Sequence, residues 1–190
     1  MLSGRRLDLL DPSPLDIEIE DIAHGLARVA RWNGQTDGAH IFSVAQHSLL
    51  VEALARLRAP GLDRGRRLAV LLHDAPEYVI GDMISPFKAV IGDAYKAVEN
   101  RILSAILLRF SLPPNPSPKI LLLCKNCDRI AAFLEAVALA GFTRSEAERI
   151  FGRPASRLDF AEHLEPLRID VAQRRYLERF LNLEREGGSG

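Results

Sequence analysis

From residue 21 onward, apolar residues recur at spacings of three and four, the period of a helix with one buried face. Residues 21–32 place Ile22, Leu26, Val29 and Ala30 on one stripe, which predicts a first helix. Gly34 and Gly38 bracket a loop. Ser43 and Gln46 have the spacing of a capping box, in which each side chain satisfies the other's free backbone donor. It opens a helix running to about residue 58, closed by the turn at Pro60 and Gly61. Residues 66–73 carry Leu68, Ala69, Val70, Leu71 and Leu72, so the next helix is apolar all round and belongs at the centre of a bundle. A long amphipathic helix spans 93–110, and Pro113, Pro114 and Pro116 form a stiff connector. Ser117 and Pro118 then read as a cap and a first helical position. That helix runs to about residue 140, before Gly141. Thr143 and Glu146 form a second capping box, and a last helix covers about 170–185.

Only residues 16–20, DIEIE, alternate, and they read as a short extended arm. The expected architecture is all-α: one domain, a bundle of six or seven helices. Within it, residues 1–20 form an N-terminal arm, 21–140 a helical core, 141–185 C-terminal helices and 186–190 a frayed tail.

The 190 residues suit one domain with its own core. Composition is that of a globular protein, 47% apolar and 26% charged, which excludes disordered and fibrous chains. Lysine plus arginine equals aspartate plus glutamate at 25 each, which argues against a stable nucleic-acid complex, since such proteins gain affinity by neutralising many phosphates. The first residues carry charge where a signal peptide needs an apolar stretch, and no apolar run nears the roughly 18 residues of a membrane span. A cytoplasmic protein is expected. Cys124 and Cys127 are too few for a disulfide framework. They lie on the apolar stripe of their helix and read as small core residues.

Four polar residues do not fit this apolar pattern. His73 and Asp74 end the most apolar helix; His47 sits on the stripe of Val44, Val51 and Leu54; Asp128 interrupts KILLLCKNCDRIAAFLEA. A buried carboxylate without a partner costs several kcal/mol or more. One divalent metal would resolve all four burial problems together, because two imidazoles and two carboxylates make a ligand set that such ions accept. Successive helical residues point about 100° apart, so His73 and Asp74 can share an ion only near a helix end or kink. Pro76 supplies one, by disturbing the bond to the Leu72 carbonyl. Glu77, four residues beyond His73, is a further acidic residue beside this set.

The order His47, then His73 with Asp74, then Asp128 resembles the HD superfamily of metal-dependent phosphohydrolases. AQHS, LLHDAPE and CDRIAAFLEA carry the match. LLHDAPEYVIGDMISPFK is further similar to the bacterial 5'-deoxynucleotidase branch, with its HD-x-x-E followed by G-D-x-x-x-P-x-K. The resemblance covers roughly residues 4–140. It implies one metal (Mn, Co, Zn, Fe, Ni or Mg) on His47, His73, Asp74 and Asp128. It implies catalytic roles for Glu77 and Asp82, and substrate contacts from Arg31 and Trp32. Lys88 is a further candidate clamp for phosphoryl oxygens. The expected activity is hydrolysis of a phosphate monoester, foremost a nucleoside 5'-monophosphate, by metal-activated water. Two alternatives stand beside it: another nucleotide substrate (a triphosphate, cyclic nucleotide or alarmone), or a non-catalytic nucleotide-binding regulatory module. The partner is then a small phosphate ester, with no membrane involved. A homodimer is implied where a helix face is left bare.

Overall fold

The computed structural model describes residues 1–154 and 160–186. It is all-α, with no strand among these residues. Among the described residues seven helices have eight residues or more: α1 (Ile19–Leu26), α2 (Val44–Arg58), α3 (Arg64–Leu71), α6 (Asp93–Arg109), α7 (Pro118–Ala138), α8 (Arg144–Phe151) and α10 (Ile169–Arg185). Three shorter segments, α4 (Glu77–Ile80), α5 (Ser85–Ile91) and α9 (Ala161–Leu164), complete the set. The six or seven helices expected are the long ones; the short ones lack the length over which a helical period can be read. The expected frayed tail lies, beyond Glu186, outside the described residues.

α3 sits where its composition demands. Leu68, Val70 and Leu71 are wholly buried, as is Leu72 just past its end. It packs against α2, α7 and α10. Two apolar clusters meet along it, one toward α1, α6 and α10 and the other toward α2 and α7. No helix among the described residues is long and apolar enough to cross a membrane.

Three local expectations are corrected. The alternating residues 16–20 are extended only at Ile17 and Glu18, between a 3₁₀ turn (Pro14–Asp16) and the start of α1 at Ile19, and Ile17 and Ile19 are both buried in the core. The first helix does not continue to Trp32 but stops at Leu26. Beyond it the chain pairs with the segment before α2: Val44 N–H donates to the Val29 carbonyl at 3.0 Å, and Arg31 N–H to the Phe42 carbonyl at 2.8 Å. Such a contact between distant residues leaves no mark in the local period. Third, Ser43 does cap α2 by accepting from Gln46 N–H at 3.4 Å, but the Gln46 side chain does not return to it. It bonds instead to the 165–167 segment, through the Glu165 carbonyl and Leu167 N–H. The Thr143–Glu146 box is complete.

One close approach matters for the cleft. A Cβ on Gly25 would lie 2.7 Å from the Tyr78 Cβ and 2.8 Å from its carbonyl oxygen. Glycine lets α1 lie directly on α4, and this contact fixes Tyr78 and its neighbour Glu77 against the rest of the fold.

Candidate metal centre and adjoining cleft

His47 is the fourth residue of α2 and is wholly buried. α3 ends at Leu71, so His73 and Asp74 fall in the tight turn before α4. The Leu72 carbonyl accepts from Ala75 N–H at 3.0 Å and the Asp74 carbonyl from Glu77 N–H at 3.0 Å, so Pro76, with no donor, costs this turn nothing. The helix end expected at the His-Asp pair is present. Asp128 projects from the middle of α7, with its carboxylate 42% exposed.

These elements bring His47, His73 and Asp128 together: one ligand atom from each lies within 4.8 Å of the others, a group that could hold a metal ion. Asp74 joins it, with Oδ2 3.2 Å from His73 Nε2 and 3.4 Å from His47 Nε2. Asp128 Oδ1 is 3.2 Å from the same His47 nitrogen. Both imidazoles are fixed from behind: His73 Nδ1–H donates to the Val70 carbonyl at 2.9 Å, and His47 Nδ1–H to Glu135 Oε1 at 2.5 Å. Each therefore turns Nε2 toward the carboxylates. Both Nε2 atoms are buried and have no hydrogen-bond partner among the described residues. Buried polar atoms are almost always satisfied, and orphans aimed at one point beside carboxylates fit a divalent cation.

The electrostatics agree. Burial and the nearby Arg31 press His47 toward its neutral form, but Glu135, Asp128 and Asp74 outweigh them and raise its pKa well above the usual value. Burial works against ionisation of Asp74, yet His73 and His47 hold its pKa well below the usual range. The cluster thus attracts positive charge, carried by a proton when nothing else is bound.

The cluster opens into a cleft of about 510 Å³. Glu77, Asp82, Lys88, Arg31 and Trp32 all line it, beside Asp74 and Asp128. Every site residue expected from the sequence is therefore in one place. Glu77 is 2% exposed. One of its oxygens accepts from Lys88 Nζ at 3.3 Å, while Oε2 is buried without a partner among the described residues. Burial, then Asp74 and Asp82, push its pKa up to about 9. Lys88 also reaches Glu99, at 3.1 Å, and lies 5.6 Å over the Tyr95 ring. Asp82 Oδ2 accepts from Arg31 Nη1 at 3.0 Å. Met83, Ile150 and Phe151 give the cleft an apolar side, and Arg129 adds a cation.

Arg31 and Trp32 are held by an unusual backbone. Trp32 and Asn33 both adopt left-handed conformations, at φ 56° and 52°. Asparagine tolerates this region; for tryptophan it costs on the order of 1 kcal/mol or more. The Trp32 ring packs against Phe142 and Phe151, with centroids at 5.7 and 6.0 Å, and its N–H donates to Glu135 Oε2 at 2.9 Å. Trp32 is thus an anchor for the turn as well as part of the cleft wall.

Glu135 was not among the residues singled out from the sequence. It is wholly buried, and its second oxygen also accepts from Arg31 Nε at 3.4 Å. Burial opposes its ionisation, but His47, Arg31 and the bonds from His47 and Trp32 bring its pKa down to about 2. A signal existed: Glu135 lies seven residues past Asp128, two turns along the same face of α7, and is the one charge in an apolar stretch. Cys127 lies in the core and Cys124 is half-buried beside it, both as free thiols.

No family model matches the chain. The uncharacterized protein RCAP_rcc00048 of Rhodobacter capsulatus is 60% identical to it over 154 residues, which cover 81% of this chain and 79% of that one. At that identity and coverage, the chain belongs to the same family as this Rhodobacter protein.

Proposed function

We propose that this protein is a metal-dependent phosphohydrolase of the HD type, cleaving a phosphate monoester, with nucleoside 5'-monophosphates as the foremost substrate class. One observation carries the reading. Two imidazoles, each tethered through Nδ1, aim orphaned Nε2 atoms at Asp74 and Asp128 on the floor of a cleft that also holds two further acids, Glu77 and Asp82, and three cations, Arg31, Lys88 and Arg129.

His47, His73, Asp74 and Asp128 would hold the ion. When bound, a divalent cation supplies Lewis acidity toward phosphoryl oxygen and acidifies water. The chain's own residues supply the rest. Arg31 spends Nε on Glu135 and Nη1 on Asp82, and Nη2 takes part in neither pair, so the guanidinium is held rigid with one end for a phosphoryl oxygen. Asp82 acts through this pairing, as the group that aims Arg31. Glu77 keeps its proton near neutral pH and in this reading gives it to the leaving oxygen as the ester P–O bond breaks and the new bond to water oxygen forms, and the proton released by that water restores the acid. Lys88, bonded to Glu77, stabilises the carboxylate left behind. The apolar side at Met83, Ile150 and Phe151 suits the uncharged part of the ester.

The test is phosphate release by purified protein loaded with each candidate metal, on a panel of nucleoside mono- and triphosphates, cyclic nucleotides and alarmones. Release from monophosphates, abolished by a chelator and by His73→Ala, is expected. Release only from another member of the panel would move the substrate within the same chemistry. Metal binding without turnover on any of them would favour the non-catalytic module.

A further inference from the structure

We propose that Glu135 is a positioning residue, which holds His47 in the tautomer that a metal requires and ties that imidazole to Arg31 in the cleft wall. The role rests on the reading of the cluster as a metal centre.

Three N–H groups converge on this one side chain: His47 Nδ1 on Oε1 at 2.5 Å, and Trp32 Nε1 and Arg31 Nε on Oε2 at 2.9 and 3.4 Å. A neutral imidazole has a single N–H. With that proton on Nδ1 against the carboxylate, Nε2 presents a lone pair to Asp74 Oδ2 at 3.4 Å and Asp128 Oδ1 at 3.2 Å. Lone pair against carboxylate is repulsive until a cation stands among them. His73 is fixed the same way by the neutral Val70 carbonyl; His47 is backed by a full negative charge, which makes it the stronger donor to a cation. Glu135 and Asp128 share α7 and one face of it, so a single helix carries both a ligand and the group that aims another.

The opposite end of the carboxylate does a second job. Its Oε2 is what the left-handed Trp32 turn closes on, and the same oxygen fixes Nε of Arg31. Only a side chain with two acceptor oxygens can serve all three donors. Glutamine offers one oxygen and an NH₂ group, so in either orientation it sets a donor against a donor. A merely structural buried ion pair would need Arg31 alone and would be indifferent to the state of His47.

The experiment compares the wild type with Glu135→Gln, using cadmium ion alone as the probe and circular dichroism to verify the fold. Nitrogen NMR of His47 in the cadmium-loaded wild type should show a protonated Nδ1 and cadmium on Nε2. In Glu135→Gln, cadmium affinity should fall about 10–100-fold and the sheltered Nδ1 proton signal should be lost. Affinity unchanged within about twofold, or an unaltered His47 spectrum, overturns the role. Cadmium on Nδ1 in the wild type overturns it as well, even where the glutamine variant fails to fold. A wild type that binds neither cadmium nor any other divalent ion refutes the metal reading itself, whereas tight binding by both proteins refutes the role of Glu135 alone.

Discussion

Glu77 forms part of the cleft wall, and Glu135 lies behind it; the two carboxyl groups are almost equally buried, at 2% and 0% exposure. Burial alone would protonate both. Their neighbours reverse this at Glu135 and reinforce it at Glu77. Glu135 meets His47, Trp32 and Arg31, all donors, and its pKa falls to about 2. Glu77 meets one lysine, leaves an oxygen without a partner among the described residues, faces Asp74 and Asp82, and has a pKa of about 9. One residue type is thus held as an anion in one region and kept protonated in another. Pairs of groups whose surroundings drive their pKa values apart are how a fold divides acid work from charge work. The difference in support runs parallel. Glu135 stands on α7, a 21-residue helix packed in the core, whereas Glu77 opens the four-residue α4, and its lysine comes from the seven-residue α5, where Phe87 and Val90 are exposed.

The largest effect should come from removing the stored proton. Glu77→Gln keeps size and burial but cannot give a proton, so turnover on the best substrate of the panel should drop about 10²–10⁴-fold while metal content, measured by elemental analysis, stays level. Turnover that survives would show that the proton on Glu77 is not used, and the contrast with Glu135 would lose its functional meaning.

A smaller and reversible effect separates the two residues by pH in chelator-treated protein. The folded-state pKa of Glu77, about 9, lies above its ordinary 4.5, so the folded chain holds that proton more tightly. Its contribution is fully present below about pH 4.5 and is lost as pH rises toward 9. Glu135 has the opposite sign: with a folded-state pKa of about 2, its contribution is present above about pH 4.5 and is lost as pH falls toward 2. Urea midpoints across this range should fall on both sides. Glu77→Gln should flatten only the alkaline side, and in part, because His47, whose pKa is also raised, loses its share there too. An unchanged alkaline slope would mean that Glu77 is ionised in the folded protein.

The candidate cluster was partly legible in the sequence because its cost was. His47 is wholly buried on its apolar stripe and the His73-Asp74 pair ends the most apolar helix, so their meeting could be inferred from burial, whereas Asp128, expected on a buried stripe, is 42% exposed and was legible only from the order of the motif. Arg31 and Trp32 were found by resemblance, but the helix expected to carry them stops at Leu26. Their turn is made by the Val29 and Arg31 backbone bonds to residues 42–44, and partners that far along the chain leave no periodic trace. The joining of Lys88 to Glu77 and Glu99 was hidden for the same reason, since it depends on where α5 falls against α6 (Asp93–Arg109). Glu135 differs from these. Its spacing from Asp128 was in plain view, and the rule that exposed the ligands applied equally to it. A single glutamate near a helix end also suits a solvated position, so the spacing alone does not single it out.

The smallest effect tests how far the anion of Glu135 depends on each of its three donors. Trp32→Phe removes one N–H and keeps a ring to pack against Phe142 and Phe151. Hydrogen bonds to charged groups contribute about 1.5–3 kcal/mol, and Arg31 remains on the same oxygen to share the load. Stability from urea denaturation at neutral pH should therefore fall toward the lower end of that range. The acid side of the stability profile should move to higher pH as the Glu135 pKa rises from about 2. A loss of stability without that movement would assign the tryptophan to packing alone. A shift of the acid side would show that the same indole which closes the left-handed turn also keeps the carboxylate behind His47 ionised.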